Sequence, residues 1–160
     1  MKYTDYEDYM RLALELAREA AAAGEVPVGC VIAGPDGEVI GRGRNMRREK
    51  RSALSHAETE AIEQACRARG DWRLDGCTLF VTLEPCPMCA GAIITSRIST
   101  VVYGAREELS GSCASVINLF AERYPSRPAV YAGVLAVESE KLLGEFFRDL
   151  RRPLLFLKEK

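Results

Sequence analysis

The chain has 160 residues, which is enough for one domain with a short terminal extension. Its 48% hydrophobic and 28% charged residues are ordinary for a globular domain and exclude a disordered or low-complexity chain. The 22 basic and 23 acidic side chains give a net charge of −1, so the composition does not indicate a globally basic nucleic-acid binder.

The N-terminal segment is predicted to begin a helix directly. Residues 1–8 contain no apolar stretch after a basic start, and no apolar run in the chain approaches about 18 residues, so we predict neither a signal peptide nor a membrane span. The protein is therefore expected in the cytoplasm. Thr4 and Glu7 have the spacing of a capping box, and apolar residues at helical spacing continue from Tyr6 until Gly24.

Strands and helices alternate through the rest of the chain. The predicted elements are a β-hairpin (26–32 and 38–41), a helix that Ser55 and Glu58 cap and that ends at Gly70, a strand (78–83), a helix (86–96), a strand (100–103), a short helix (114–120), a strand (129–134) and a closing helix (138–150). This order predicts an α/β domain with three layers, α/β/α, around a five-stranded mixed sheet. We expect the domain to span residues 1–152 and a basic C-terminal tail to follow at 153–160.

Two common classes of site are excluded by what the sequence lacks. It has no phosphate-binding loop of the Gly-x-x-x-x-Gly-Lys type, and its Gly41-Arg42-Gly43-Arg44 segment lacks the third glycine of a dinucleotide-binding turn. His56 is the one histidine, so a hydrolase that needs a histidine base and a separate histidine ligand cannot be built from one subunit.

Metal-binding residue types lie at the starts of two predicted helices. His56 precedes one helix, and Cys86 and Cys89 lie three residues apart in the first turn of the next, where the helix N-terminus favours thiolates. Two thiolates and one imidazole give Zn²⁺ three protein ligands and leave the fourth tetrahedral position for water, as in catalytic zinc sites. Glu58, close to His56, is the candidate base.

Each of these features alone has a simpler interpretation. A Cys-x-x-Cys between a strand and a helix is also the context of thioredoxin-like redox motifs. Glu58 could be only the capping partner of Ser55, and a single histidine is often structural. Together, His-x-Glu followed by Pro-Cys-x-x-Cys is the signature of zinc-dependent nucleobase deaminases. The four other cysteines are expected to be small core residues: Cys30, Cys66, Cys77 and Cys113.

Five further segments carry a more specific resemblance. They are EVPVG (25–29), VTLEPC (81–86), MCAGAI (88–93), VVYGAR (101–106) and FFR (146–148). Through these segments, from about Tyr6 to Arg151, the sequence resembles the bacterial tRNA-specific adenosine deaminase family. The resemblance implies a cytidine-deaminase-like fold, a homodimer, one Zn²⁺ per subunit, and conversion of adenosine to inosine at the wobble position of a tRNA anticodon stem-loop.

The resemblance also implies roles for individual residues in the reaction centre. The metal ligands of the family fall on His56, Cys86 and Cys89, and its proton shuttle falls on Glu58.

Substrate contacts are implied in the same way. The asparagine that contacts the base and ribose falls on Asn45, and Val28 would form part of the pocket wall. Glu107, Phe147 and Arg148 fall where the family contacts RNA.

The chain departs from the family pattern at two places. Glu107 stands where the family usually has aspartate, and residues 124–126 read Tyr-Pro-Ser where it usually has Phe-Asn-His. Both regions contact the anticodon loop in that family. A deaminase of free guanine or cytosine with the same fold therefore stays open. A thiol redox or zinc-binding module, with reversible oxidation of Cys86 and Cys89, is the more distant alternative.

Basic residues are concentrated in two segments. Six of the residues at 42–51 are basic and one is acidic, and further arginines and lysines follow from Arg148 to the chain end. Such segments suit phosphate contacts with RNA. A solvated surface loop and a frayed tail would have the same composition.

Overall fold

The computed structural model describes residues 5–156, with side chains as far as Arg151. Its elements in chain order are α1 (Tyr6–Ala22), β1 (Gly29–Ala33), β2 (Val39–Arg44), α2 (Ala57–Arg69), β3 (Thr78–Leu83), α3 (Pro87–Thr95), β4 (Thr100–Ala105), a 3₁₀ turn (Leu119–Ala121), β5 (Ala129–Ala132) and α4 (Ala136–Phe156). No helix within residues 5–156 combines the length and the hydrophobicity that crossing a bilayer requires.

The five strands form one mixed sheet with the order β2-β1-β3-β4-β5. β1 is antiparallel to both β2 and β3, whereas β3, β4 and β5 are parallel. The predicted five-stranded mixed sheet is confirmed. Because β3 and β4 are parallel neighbours, the segments that follow them leave the sheet at the same edge.

Alternate side chains of the strands face two helical layers. Val31, Phe80 and Val102 pack with α1 on one face, and α4 covers the same face where Gly104 approaches Ser139. Residues of the opposite face, among them Ile32 and Val81, pack with α2 and α3. This alternation produces the predicted three-layer α/β/α arrangement. β1 is buried along its whole length because both of its faces are covered.

The helix starts differ from the predicted capping boxes. Asp5 is the N-cap of α1, where its carboxylate accepts the Glu7 N–H at 3.0 Å, and Thr4 lies outside the described residues. The N-cap of α2 is His56, one residue after the predicted Ser55. α2 ends, as predicted, at Gly70, whose φ of 68° is a left-handed conformation that glycine adopts readily.

The predicted helix at 114–120 is wrong. Apart from the 3₁₀ turn, this region is a loop. Its N–H groups do not donate to the carbonyl four residues earlier, as a helix requires, because Val116 and Ile117 both donate to Gly111 O. α4 extends past the predicted residue 150 to Phe156, since arginines carry no apolar periodicity but are compatible with a helix. The predicted tail is therefore helical at 153–156, and residues 157–160 lie outside the described part of the chain.

Candidate active site

Two helix starts bring the three predicted metal ligands together. His56 is the N-cap of α2, Cys86 is the N-cap of α3, and Cys89 lies in the first turn of α3. The His56 Nδ1 atom lies 3.6 Å from Cys86 Sγ and 3.4 Å from Cys89 Sγ. All three donor atoms lie within 4.8 Å of one another.

This donor set fits a tetrahedral zinc ion. With Zn–N near 2.0 Å and Zn–S near 2.3 Å, a nitrogen and a sulfur at tetrahedral positions are separated by about 3.5 Å. The two observed N–S separations agree with that value. One imidazole and two thiolates are also the ligands that zinc accepts in three-ligand sites with an open fourth position.

Electrostatics within the cluster favour a charged ligand at Cys86. Cys89 and, to a smaller extent, His56 form hydrogen bonds with the Cys86 sulfur, and these lower the pKa of Cys86 to about 4. The pKa of Cys89 is raised instead, because Cys89 donates to Cys86 and is buried. Hydrogen bonding with Cys86 in turn raises the pKa of His56. One sulfur of the pair is thus a thiolate at neutral pH, which a dication would further favour.

Glu58 lies in the first turn of α2 and is almost completely buried, with 4% of its surface exposed. Burial raises its pKa to about 7. The predicted alternative role, capping with Ser55, is not realised, because His56 is the N-cap and its N–H donates to Thr59 Oγ1 at 3.0 Å. The Glu58 side chain instead lines the same cavity as His56 and Cys86.

A cavity of about 240 Å³ opens beside the cluster. Seven residues predicted from the sequence line it: Val28, Asn45, His56, Glu58, Cys86, Glu107 and Phe147. Arg148 does not line this cavity and is exposed on α4. The structure therefore brings the predicted substrate contacts together, except Arg148.

Asn45 offers an unsatisfied hydrogen-bond acceptor at the cavity. The residue is 7% exposed, and its Nδ2 group donates to Val26 O at 3.4 Å. Its Oδ1 atom is buried and has no hydrogen-bond partner within the part of the chain that the structure describes. Because buried polar atoms are nearly always paired, this oxygen is a natural position for a donor group of a ligand.

A second cavity of about 430 Å³ adjoins the first and shares Val26, Asn45 and Arg47 with it. Its wall also contains Arg48 and Arg51. Two other basic residues of this segment form ion pairs: Arg44 contacts Glu49 at 2.8 Å, and Lys50 contacts Glu60 at 2.7 Å. The predicted basic segment thus contributes arginines to the walls of both cavities.

Three further residues of the first cavity wall were not predicted from the sequence: Leu83, Glu84 and Ser110. Glu84 and Leu83 lie within the segment that precedes Cys86, which would have been the available signal. Ser110 lies in a loop without any recognisable pattern.

Comparisons with known proteins agree with this site. The family described as "Cytidine and deoxycytidylate deaminase zinc-binding region" matches residues 3–105. The tRNA-specific adenosine deaminase of Bacillus subtilis (strain 168) is 45% identical over 150 residues, which cover 93% of this chain and 92% of that protein.

Solved structures with the same architecture include a tRNA deaminase and a guanine deaminase. A chain from a study of A-to-I editing by tRNA:A34 deaminases at the wobble position of transfer RNA is similar with a TM-score of 0.82 and 42% identity, covering 84% of this chain and 98% of that one. Guanine deaminase from Nitrosomonas europaea is similar with a TM-score of 0.74 and 26% identity, covering 91% of this chain and 86% of that one. Since the match to the Bacillus subtilis enzyme covers 93% of this chain and includes the zinc-binding region, the chain belongs to the tRNA-specific adenosine deaminase family of zinc deaminases.

Proposed function

We propose that this protein hydrolyses adenosine to inosine at the wobble position of a tRNA anticodon, with one zinc ion per subunit. The observation that carries the proposal is the convergence of His56 Nδ1, Cys86 Sγ and Cys89 Sγ beside the buried Glu58 carboxylate in one cavity. The tRNA substrate is supported by relatives that act on tRNA adenosine and that match most of the chain.

Zinc held by His56, Cys86 and Cys89 would supply Lewis acidity that lowers the pKa of water. The carboxylate of Glu58 accepts a proton from the attacking water and delivers it to the adenine ring nitrogen as the C6–O bond forms. Glu58 then accepts the proton of the new C6 hydroxyl and delivers it to the amino group, so that the C6–N bond breaks and the oxygen becomes the carbonyl of inosine. Adenosine and water are thereby converted into inosine and ammonia.

The remaining cavity residues would orient the base. Asn45 Oδ1, to which no described residue donates, is available to a donor of the nucleoside, and Val28 supplies an apolar wall. Arginines of the adjoining cavity would bind the phosphates that flank the reacting nucleotide. We assign Glu107 and Phe147 to the cavity rim and Arg148 to an outer contact with the RNA.

We further propose that the enzyme is a homodimer and that it acts in the cytoplasm, where translation uses its substrate. Leu109, Val116 and Ile117 are apolar but exposed in the isolated chain, as expected of an interface. Light scattering after size exclusion should give twice the 17.7 kDa chain mass. A monomer at micromolar concentration would contradict the dimer.

The experiment that tests the substrate uses two transcripts. Zinc-loaded protein is incubated with a tRNA that carries adenosine at the wobble position and with the same tRNA carrying guanosine there. Nuclease digestion and mass spectrometry should detect inosine in the first RNA alone. The rate should fall as salt is raised, because phosphate contacts release counterions. Absence of inosine from the first RNA would refute the proposal.

Guanine is the second candidate substrate, supported by the structural similarity to a guanine deaminase and by Glu107 in place of the usual aspartate. This candidate predicts ammonia release from free guanine at a rate that is insensitive to salt. Measuring both substrates with one protein preparation separates the two functions.

A further inference from the structure

Glu84 is a buried carboxylate at the point where the metal-binding segment begins. It follows β3 directly, precedes Pro85 and Cys86, and is 2% exposed. Its backbone N–H donates to Ala105 O at 2.8 Å, which attaches it to the end of β4. Nothing in the proposed chemistry uses this side chain, although it lines the cavity.

Among the described residues, the Glu84 carboxylate accepts hydrogen bonds only from residues 106–118 (the 106–118 loop). Oε2 accepts the N–H groups of Cys113 at 3.1 Å and Ser115 at 3.2 Å. Oε1 accepts the N–H of Glu107 at 3.4 Å and the hydroxyl of Ser115. A buried carboxylate with this many donors is satisfied within the protein, so its oxygens are not available to move protons.

The backbone of the 106–118 loop is shaped around this carboxylate. Ala114 lies between the two residues that donate to Oε2 and has a φ of 144°, a strained value for a residue with a Cβ atom. At Gly111 a Cβ atom would overlap the Glu84 carboxylate and the Glu107 carbonyl. The strained backbone at Ala114 and the close approach of Gly111 to the carboxylate both indicate that contacts with Glu84 hold the loop in this conformation.

The same loop carries two residues of the cavity wall, Glu107 and Ser110. We propose that Glu84 is a positioning residue: its carboxylate fixes the 106–118 loop to the segment that carries Cys86, and so sets the substrate-facing wall relative to the metal cluster. The inference rests on the proposed function, because the wall that Glu84 positions is the one assigned there to the nucleotide.

The test compares Glu84→Gln with Gly111→Ala and with Ile98→Val as a control. In Glu84→Gln the amide NH₂ replaces one acceptor, so at least one buried loop donor loses its partner. In Gly111→Ala the Glu84 carboxylate is chemically unchanged, but the added methyl group would overlap it and must displace it or the loop. Ile98 is fully buried in the core away from the cavity walls, so its truncation lowers stability without touching the loop.

Kinetics with an anticodon stem-loop RNA should separate positioning from general destabilisation. We expect Glu84→Gln and Gly111→Ala to raise KM about tenfold or more, with kcat changed by less than about threefold and with unchanged zinc content. Ile98→Val should leave KM unchanged although its Tm falls. Equal KM for Glu84→Gln and wild type, or a loss of zinc and kcat without a change in KM, would overturn the proposal.

Amide hydrogen exchange provides a readout that is independent of activity. The amides of Cys113 and Ser115 should be protected in the zinc-loaded wild type and should exchange at least about tenfold faster in Glu84→Gln. Unchanged protection refutes the positioning role even if the wild type proves inactive on RNA, which by itself would refute only the proposed substrate. If Glu84→Gln does not fold, Ser115→Ala, which removes the hydroxyl donor alone, should raise KM by a smaller factor.

Discussion

His56 combines two tasks in one residue. As N-cap it begins α2, and its ring Nδ1 atom faces the two sulfurs at the start of α3. Thr59 takes over part of the capping, since its hydroxyl accepts the His56 N–H. Because helix N-termini carry partial positive charge, both helix starts also favour the anionic groups of the site, the Cys86 thiolate and the Glu58 carboxylate.

Substitutions at Glu58 and Cys86 should have different effects. Glu58→Ala should keep zinc but lose about 10²–10⁴ in kcat, because it removes the proton carrier and none of the ligands. Cys86→Ala should lose both zinc and turnover. Zinc content by mass spectrometry and deamination rates test both expectations. Glu60 lies on α2 like Glu58 and forms an ion pair with Lys50. Glu60→Ala, which removes this ion pair, is the matched control and should resemble wild type. Deamination by Glu58→Ala at the wild-type rate would contradict the assignment.

At the scale of elements, the position of α2 depends on the two glycines of β2. A Cβ atom at Gly41 would overlap the backbone of Ala61, and one at Gly43 would overlap the backbone of Ala57. α2 therefore lies unusually close to the sheet, and its first turn, which carries Glu58, lies directly against Gly43. In the sequence these glycines could only be recognised as an incomplete dinucleotide-binding turn, because nothing local indicates which helix will approach them.

Gly43→Ala should displace the first turn of α2. We expect the free energy of unfolding to fall by about 1–3 kcal/mol through overpacking, and zinc affinity to fall with it, since His56 precedes this turn. Gly144→Ala in α4 is the control: its Cβ atom meets nothing, so the substitution should be neutral or slightly stabilising. Urea unfolding and zinc titration measure both quantities. Equal free energies of unfolding for the two variants would contradict this expectation, because they would show that α2 can move away from β2 without loss of stability.

Elements with strong periodicity could be predicted from the sequence, and those that depend on distant partners could not. β3 matches its predicted bounds because a short apolar run between Gly76 and Pro85 leaves little choice. The 106–118 loop was predicted to be partly helical because the local sequence does not reveal that Glu84 takes the N–H groups of Cys113 and Ser115. The metal cluster could be predicted because its ligands are rare residue types in a specific spacing.

At the scale of the whole molecule, none of the six cysteines, all of which lie in the described part of the chain, forms a disulfide. Of the four that lie outside the metal cluster, Cys66 is half-buried and three are buried: Cys30, Cys77 and Cys113. Burial raises the pKa of Cys30 well above its usual value and raises that of Cys113 to about 12. These thiols serve as small apolar core residues that the fold keeps protonated.

The buried thiols should make stability depend on pH in the alkaline range. Their folded pKa values lie above the unfolded value of about 8.5, so their contribution is intact below that pH and is lost as the pH rises towards the folded values. By pH 9.5 each such thiol should cost about 1.4 kcal/mol. Urea unfolding of zinc-loaded protein at pH 7.5 and 9.5 measures the loss, and Cys30→Ala should show a smaller loss than wild type. Identical losses would contradict the interpretation.

The ligands at His56 and Cys89 are 33 residues apart in the chain and belong to different helices. An ion bound between them would act as a cross-link, and in a chain-entropy treatment the closure of such a loop is worth about 4 kcal/mol to the folded state. The supply of zinc in the cell would then govern the lifetime of the folded molecule as well as the number of molecules that can turn over.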